Sequence, residues 1–367
     1  MPNTVRRDVG VWPLLSVLCL AALAACGASA PISRPASGAP SAASPPIQPS
    51  ASGGVSLREI VRYPIGEDHV ETVAFSPDGQ RLAMGAEDGT VAIVKLTPGP
   101  AEGPAVRKLH VGFTSGLAWS PDGGRLLTAA ADGAARMLDP DSMQVAYSLT
   151  AYPKTYPAVA WSSDGRQFAL AQGRTTVQIY DAAAGALVSS ADVTDARTRA
   201  LLWLPSGDVA LADEAGRLSF WTPGQPKASR VFEPTPTHKS INSLSLSPDD
   251  KTLAVAYDDG AVLLVDAPTA KFVRDLFRGR QTGTVSWSPN GKLLALTSVA
   301  FDLKILDVQG QLVAREDVGY DTNGTAWAPD GKYLAFGADD KTLRIYEVTP
   351  SQSPDKQRPS PPSFMGR

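Results

Sequence analysis

The chain of 367 residues is poor in the residue types that staple, ligate or catalyse: it has two cysteines, Cys19 and Cys26, and three histidines. Cys19 sits inside an apolar stretch near the start, so no disulfide framework and no cysteine zinc site is expected in the body of the protein. Charge of one sign is lacking too. Thirty-four Lys and Arg stand against 37 Asp and Glu, a net charge of −3, without the clustered basic surface that nucleic acid requires. The sequence has no G-x-S-x-G nucleophile elbow. His69, His110 and His238 are scattered along the chain and read as solvated loop residues rather than catalysts. No His/Cys/Asp group has metal-ligand spacing, and Asp139-Pro140-Asp141 is too short for a calcium loop. The expectation is a protein that is not an enzyme and carries no metal and no cofactor.

What the chain has is a phrase repeated seven times, an aromatic residue (leucine in the fifth copy) followed by a four-residue turn and a run of small and apolar residues. It reads Phe75-Ser76-Pro77-Asp78-Gly79, Trp119-Ser120-Pro121-Asp122-Gly123, Trp161-Ser162-Ser163-Asp164-Gly165 and Trp203-Leu204-Pro205-Ser206-Gly207. Leu246-Ser247-Pro248-Asp249-Asp250, Trp287-Ser288-Pro289-Asn290-Gly291 and Trp327-Ala328-Pro329-Asp330-Gly331 complete the series. Successive copies are 40 to 44 residues apart. That period is the length of a four-stranded propeller blade, and such units bury their faces only against one another, so one closed body is expected.

Alternation within each copy supports the reading. In the third, Ala158 to Trp161, Gln167 to Ala171 and Val177 to Asp181 are three strands joined by turns. The steps Asp88-Gly89, Asp132-Gly133 and Asp259-Gly260 suit type I′ hairpin turns. Weaker fourth strands follow at Gln144 to Leu149, Ala186 to Asp192, Lys271 to Phe277 and Gln311 to Asp317. The second strand always carries a small residue at one place, Gly85, Ala129, Ala171, Ala212, Ala256, Thr297 or Gly337, where neighbouring blades must approach. The aromatic position then fills the wider space between sheets. Seven triplets need seven outer strands and only six lie between copies. The missing one is expected from Ser56 to Arg62, pairing with the triplet that ends Leu343-Arg344-Ile345-Tyr346 and so removing a free edge. The fold expected is all-β, a seven-bladed β-propeller with four antiparallel strands per blade, its ring closed by the N-terminal strand.

The segments flanking residues 55–349 differ in composition. Residues 1–25 carry Arg6 and Arg7 before an apolar run, residues 11–25, too short for a membrane span and laid out as a secretory signal. Its end, Leu23-Ala24-Ala25-Cys26, resembles the lipobox of bacterial lipoproteins, which implies export, acylation of Cys26 and attachment to a cell-envelope membrane. Residues 26–54 are almost wholly Gly, Ala, Ser and Pro and read as a disordered linker, and residues 350–367 as a disordered Pro-rich tail.

The third strands Val177-Gln178-Ile179-Tyr180-Asp181 and Leu303-Lys304-Ile305-Leu306-Asp307, with seven copies in register, resemble WD40-repeat proteins, specifically their divergent bacterial members. The family's Trp-Asp ending stands here as Leu138-Asp139, Tyr180-Asp181, Val265-Asp266 and Leu306-Asp307, and its Gly-His pair is absent, with His110 alone at a matching distance. TolB-type and lactonase-type propellers use similar turns. The resemblance implies a binding face made by the loops from fourth to next first strand together with the second-to-third hairpins. On those loops Tyr152, Lys154, Tyr156, Arg197, Arg199, His238, Lys239, Arg278 and Arg280 form a cationic sector. Asp317, Asp321, Asp339, Asp340, Glu67, Asp68 and Glu71 form an acidic one. The cationic sector is the candidate partner site, arginine and tyrosine being enriched at interfaces. The function expected is that of a monomeric, lipid-anchored scaffold that binds another envelope protein. The alternative is an enzyme or small-ligand binder of lactonase or quinoprotein type using the central channel.

Overall fold

The computed structural model describes residues 54–96, 103–150, 157–173, 175–233, 238–299 and 301–351. All of them belong to one compact unit, Ile47–Arg367. The described residues form strands and turns and no helix. After β1 (Val55–Pro64), the first blade comprises β2 (Val70–Phe75), β3 (Arg81–Ala86), β4 (Thr90–Lys95) and β5 (Ala105–Lys108). The second comprises β6 (Thr114–Trp119), β7 (Leu126–Ala130), β8 (Ala134–Asp139) and β9 (Gln144–Thr150). The third is β10 (Ala158–Trp161), β11 (Gln167–Gln172), β12 (Thr176–Asp181) and β13 (Leu187–Asp192), and the fourth β14 (Thr198–Trp203), β15 (Val209–Asp213), β16 (Leu218–Trp221) and β17 (Arg230–Phe232). The fifth is β18 (Ile241–Leu246), β19 (Thr252–Tyr257), β20 (Ala261–Asp266) and β21 (Lys271–Arg278). The sixth is β22 (Thr282–Trp287), β23 (Leu293–Ser298), β24 (Asp302–Asp307) and β25 (Leu312–Asp317). The seventh contributes β26 (Thr322–Trp327), β27 (Tyr333–Ala338) and β28 (Thr342–Pro350), with β1 as its outer strand. Every sheet is four-stranded and antiparallel, six of them meanders of consecutive strands, and the first strands touch one another all the way round, β2 meeting both β6 and β26.

The repeated turn is built by its own side chains. Ser76 Oγ donates to Asp78 Oδ1 at 2.5 Å and accepts from the Arg81 amide at 2.9 Å, while the Gln80 amide donates to Asp78 Oδ1. The same pattern recurs at Ser120/Asp122, Ser162/Asp164, Ser247/Asp249 and Ser288/Asn290. The hydroxyl and the amide hold the Asp78 carboxyl below its usual range. A side chain thus replaces the backbone as turn template, which explains why Ser and Asp recur two positions apart.

The Asp-Gly hairpins differ from expectation. Three residues separate β3 from β4, β7 from β8 and β19 from β20, and at Asp88-Gly89, Asp132-Gly133 and Asp259-Gly260 only the glycine has positive φ. A type I′ turn needs both, so these are three-residue loops in which glycine follows an ordinary turn. The aspartate still works locally, Asp88, Asp132 and Asp259 each accepting from the amide two residues on.

The core lies between blades, in seven apolar clusters, one at each blade junction. All seven small positions of the second strand are buried. At Gly337 a Cβ would lie 2.3 Å from the Val70 carbonyl oxygen of the first blade, so the seam between last and first blade requires glycine. The aromatic series does more than fill space. Trp119 Nε1 donates to the Ala74 carbonyl at 2.9 Å, Trp161 to Ala118 at 3.0 Å and Trp327 to Ser286 at 3.2 Å, each time in the preceding blade. Trp287 Nε1 is buried without a partner.

The closing strand pairs as expected, Leu57 opposite Val348 and Tyr63 opposite Leu343, with a bulge after Glu59. Arg344, 3% exposed on β28, bonds Asp340, and Tyr346 Oη donates to Glu59 Oε2 on β1 at 3.0 Å. A buried guanidinium is tolerated because carboxylates face it from both the hairpin and the closing strand.

Candidate functional site

Backbone hydrogen bonds tie the loops that enter blades one, four, five and seven to those blades' own second-to-third hairpins. The Glu87 amide donates to the His69 carbonyl, Glu214 to Arg197, Asp258 to Ser240 and Asp339 to Asp321. Loops and hairpins therefore share one face around the first strands.

Two of the three histidines correct the expectation of solvated loops. His110 is 2% exposed, with Nε2 2.9 Å from Thr128 Oγ1 and Nδ1 3.2 Å from the Asp132 carboxylate, which also pairs with Arg136. Burial, aided by the Arg136 charge, pushes the His110 imidazole below its usual value. His238 is buried as well, its Nδ1 2.7 Å from Asp259 Oδ2 and its ring against Tyr257, whose hydroxyl donates to the Gly216 carbonyl. Both histidines pin an entering loop onto a hairpin and are structural.

The cationic sector is less available than the sequence suggested. Arg197 and Arg199 both face Glu214, at 3.3 and 3.9 Å, and Arg199 also approaches Asn242. Arg278 pairs with Asp275 at 3.3 Å. Lys239 and Arg280 are exposed and form no ion pair among the described residues. Tyr152, Lys154 and Tyr156 lie outside the described residues, as does Cys26.

The acidic sector is concentrated where blades seven and one meet. Asp68, Glu71, Glu87, Asp321 and Asp339 gather there around His69. The imidazole Nδ1 is 3.5 Å from Glu87 Oε2 and 3.5 Å from Asp339 Oδ1, and Nε2 is 3.8 Å from Asp68 Oδ1. Burial, then the charges of Glu87, Asp339 and Asp68, push the Glu71 carboxyl up to about 8, so it is mostly protonated at neutral pH. Burial and neighbouring Asp68 raise Glu87, and burial and Asp339 raise Asp321. Asp321 Oδ1 is sealed from solvent and has no hydrogen-bond partner.

Asp68, His69 and Glu87, which no metal-ligand spacing in the sequence joins, come together in the fold. Linear spacing did not show this, because Glu87 reaches His69 from the β3–β4 hairpin and Asp339 from the other end of the chain. A signal existed in the doubled acids Glu87-Asp88, Asp258-Asp259 and Asp339-Asp340. The second acid of each pair binds within or beside its own hairpin, at Thr90, Ala261 and Thr342 respectively, which leaves the first on the face.

Comparison with known families gives two matches. The family model of the anaphase-promoting complex subunit 4 WD40 domain matches residues 209–284 and 285–357. That of the WD domain, G-beta repeat, matches residues 61–94 and 106–139, each match starting on the outer strand of one blade and ending on the third strand of the next. No curated protein matches the chain.

Proposed function

From WD40 repeats carried on a seven-bladed propeller, we infer that the protein is a binding scaffold that engages another protein through its loop-and-hairpin face. The observation that supports this reading is the segregation of charge on that face. Five carboxylates crowd the junction of blades seven and one, while Lys239 and Arg280 stand exposed on blade five. A complementary partner presents basic groups to the first region and acidic groups to the second, and such pairing sets register and speeds encounter. The resemblance at Cys26 supports the further reading of a lipid anchor, with scaffold and partner at an envelope membrane.

The test is crosslinking in the native envelope with wild type and with the double variant Lys239→Glu/Arg280→Glu, read by mass spectrometry. These residues are exposed, so the variant should melt like wild type. One protein enriched by wild type and lost with the variant supports the scaffold and its face. Equal enrichment by both would remove blade five from the site.

A further inference from the structure

The acids of this fold ordinarily bring their own cations. Asp132 has Arg136, Asp213 has Arg217, Asp340 has Arg344, and buried Asp302 has both Lys304 and Arg315. The junction of blades seven and one breaks that rule. Among the described residues no lysine or arginine forms an ion pair with Asp68, Glu71, Glu87, Asp321 or Asp339. Their one basic neighbour is His69, which stands between three of them.

We propose that Asp68, His69 and Glu87 bind a divalent metal ion of the zinc class, with Asp339 as a further donor. Three features carry this. First, the donors converge from separate elements: Asp68 and His69 from the loop before β2, Glu87 from the β3–β4 hairpin, Asp339 from the β27–β28 hairpin. One donor atom of each of Asp68, His69 and Glu87 lies within 4.8 Å of the others. Neighbouring ligand atoms around tetrahedral zinc are about 3.4 Å apart, from metal–ligand distances of about 2.0–2.1 Å. His69 Nδ1 is already 3.5 Å from both Glu87 Oε2 and Asp339 Oδ1, close to that spacing.

Second, the donor set mixes one imidazole nitrogen with carboxylate oxygens. Calcium and magnesium favour all-oxygen shells, whereas such a mixture suits zinc and its transition-metal neighbours. Third, Asp321 Oδ1 is buried beside Asp339 without a hydrogen-bond donor. A sealed carboxylate oxygen with no donor is costly, and a cation at the junction supplies the missing charge. The ion would also bridge the first and last blades on this face, away from the β1–β28 pairing that closes the ring through its outer strands.

The experiment is calorimetric titration of zinc chloride into the full chain stripped with chelator, for wild type and for His69→Ala/Glu87→Gln. Calcium chloride serves as a second arm, and thermal melts check that the variant is folded. The expected result is saturable uptake of one zinc per chain, weakened at least tenfold in the variant. Cobalt substitution distinguishes this site from the Cys26 thiol, since nitrogen and oxygen ligands give no sulfur charge-transfer band. Absence of saturable zinc uptake, a loss smaller than tenfold, tighter binding of calcium than of zinc, or a sulfur band would each overturn the site. Because the readout is metal alone, its failure leaves the scaffold reading intact, and loss of partner capture leaves the metal site intact.

Discussion

His110 Nε2 stands 2.9 Å from Thr128 Oγ1, and the same ring reaches Asp132 through Nδ1, so one buried imidazole joins a loop, a strand and a hairpin of the second blade. Its proton affinity is lowered in the folded protein chiefly by burial. In the unfolded chain the imidazole takes a proton below about pH 6.5, which the folded ring resists. The unfolded state then binds more protons, so this contribution to stability is present above about pH 6.5 and is lost as pH falls below it. The stability difference between wild type and His110→Asn, from urea midpoints, should therefore shrink between pH 7.5 and 5.5. A difference independent of pH would show that the ring is not held neutral.

The tryptophan series allows a paired comparison. Trp161 Nε1 is bonded to the Ala118 carbonyl, whereas Trp287 Nε1 is buried without a partner. Trp161→Phe loses volume and a hydrogen bond, Trp287→Phe volume alone. The first should cost about 1 kcal/mol more than the second, the ordinary net value of one hydrogen bond. Equal costs in chemical denaturation would mean that the interblade bond contributes nothing.

At the seam between blades seven and one, Gly337→Ala would force a methyl to within 2.3 Å of the Val70 carbonyl oxygen. The blades must part, at a cost of about 1–3 kcal/mol or more for overpacking. The thermal midpoint should fall by several degrees, and an unchanged midpoint is incompatible with this approach of β27 to β2.

For the anchor, Cys26→Ser should abolish incorporation of labelled fatty acid and release the protein from membranes into the soluble fraction. Retention of label in the variant would place acylation elsewhere, and absence of label from wild type would rule it out.

How far these features could be read in advance depends on how local they are. Turns and strands were legible because Ser76, Asp78 and Gly79 act within five residues, and alternation from Ala158 to Trp161 needs no distant partner. Ring closure by β1 followed from counting strands. The hairpin type was not legible, because Asp-Gly suits both two-residue and three-residue loops and the difference lies in where the strand before it ends. The burial of His110 and His238 was hidden because their partners, Asp132 and Asp259, belong to hairpins some twenty residues away. The acidic junction was hidden most thoroughly. Asp339 becomes a neighbour of His69 only once the ring has closed, and the cationic sector lost its freedom to Glu214 on the β15–β16 hairpin and Asp275 on β21.

The pairing of Val55 with Pro350, extended by the Ser351 amide donating to the Gly54 carbonyl at 2.8 Å, brings the two ends of the folded body side by side. Topologically the propeller is therefore a circle that happens to be cut in its seventh blade. A few residues joining 351 to 54 would seal the cut, and the chain could then start in another interblade loop with every strand still paired. On this geometry the start of the folded body is only the place where the circle is cut, and the cut lies on the outer rim, in the pairing of β1 with β28.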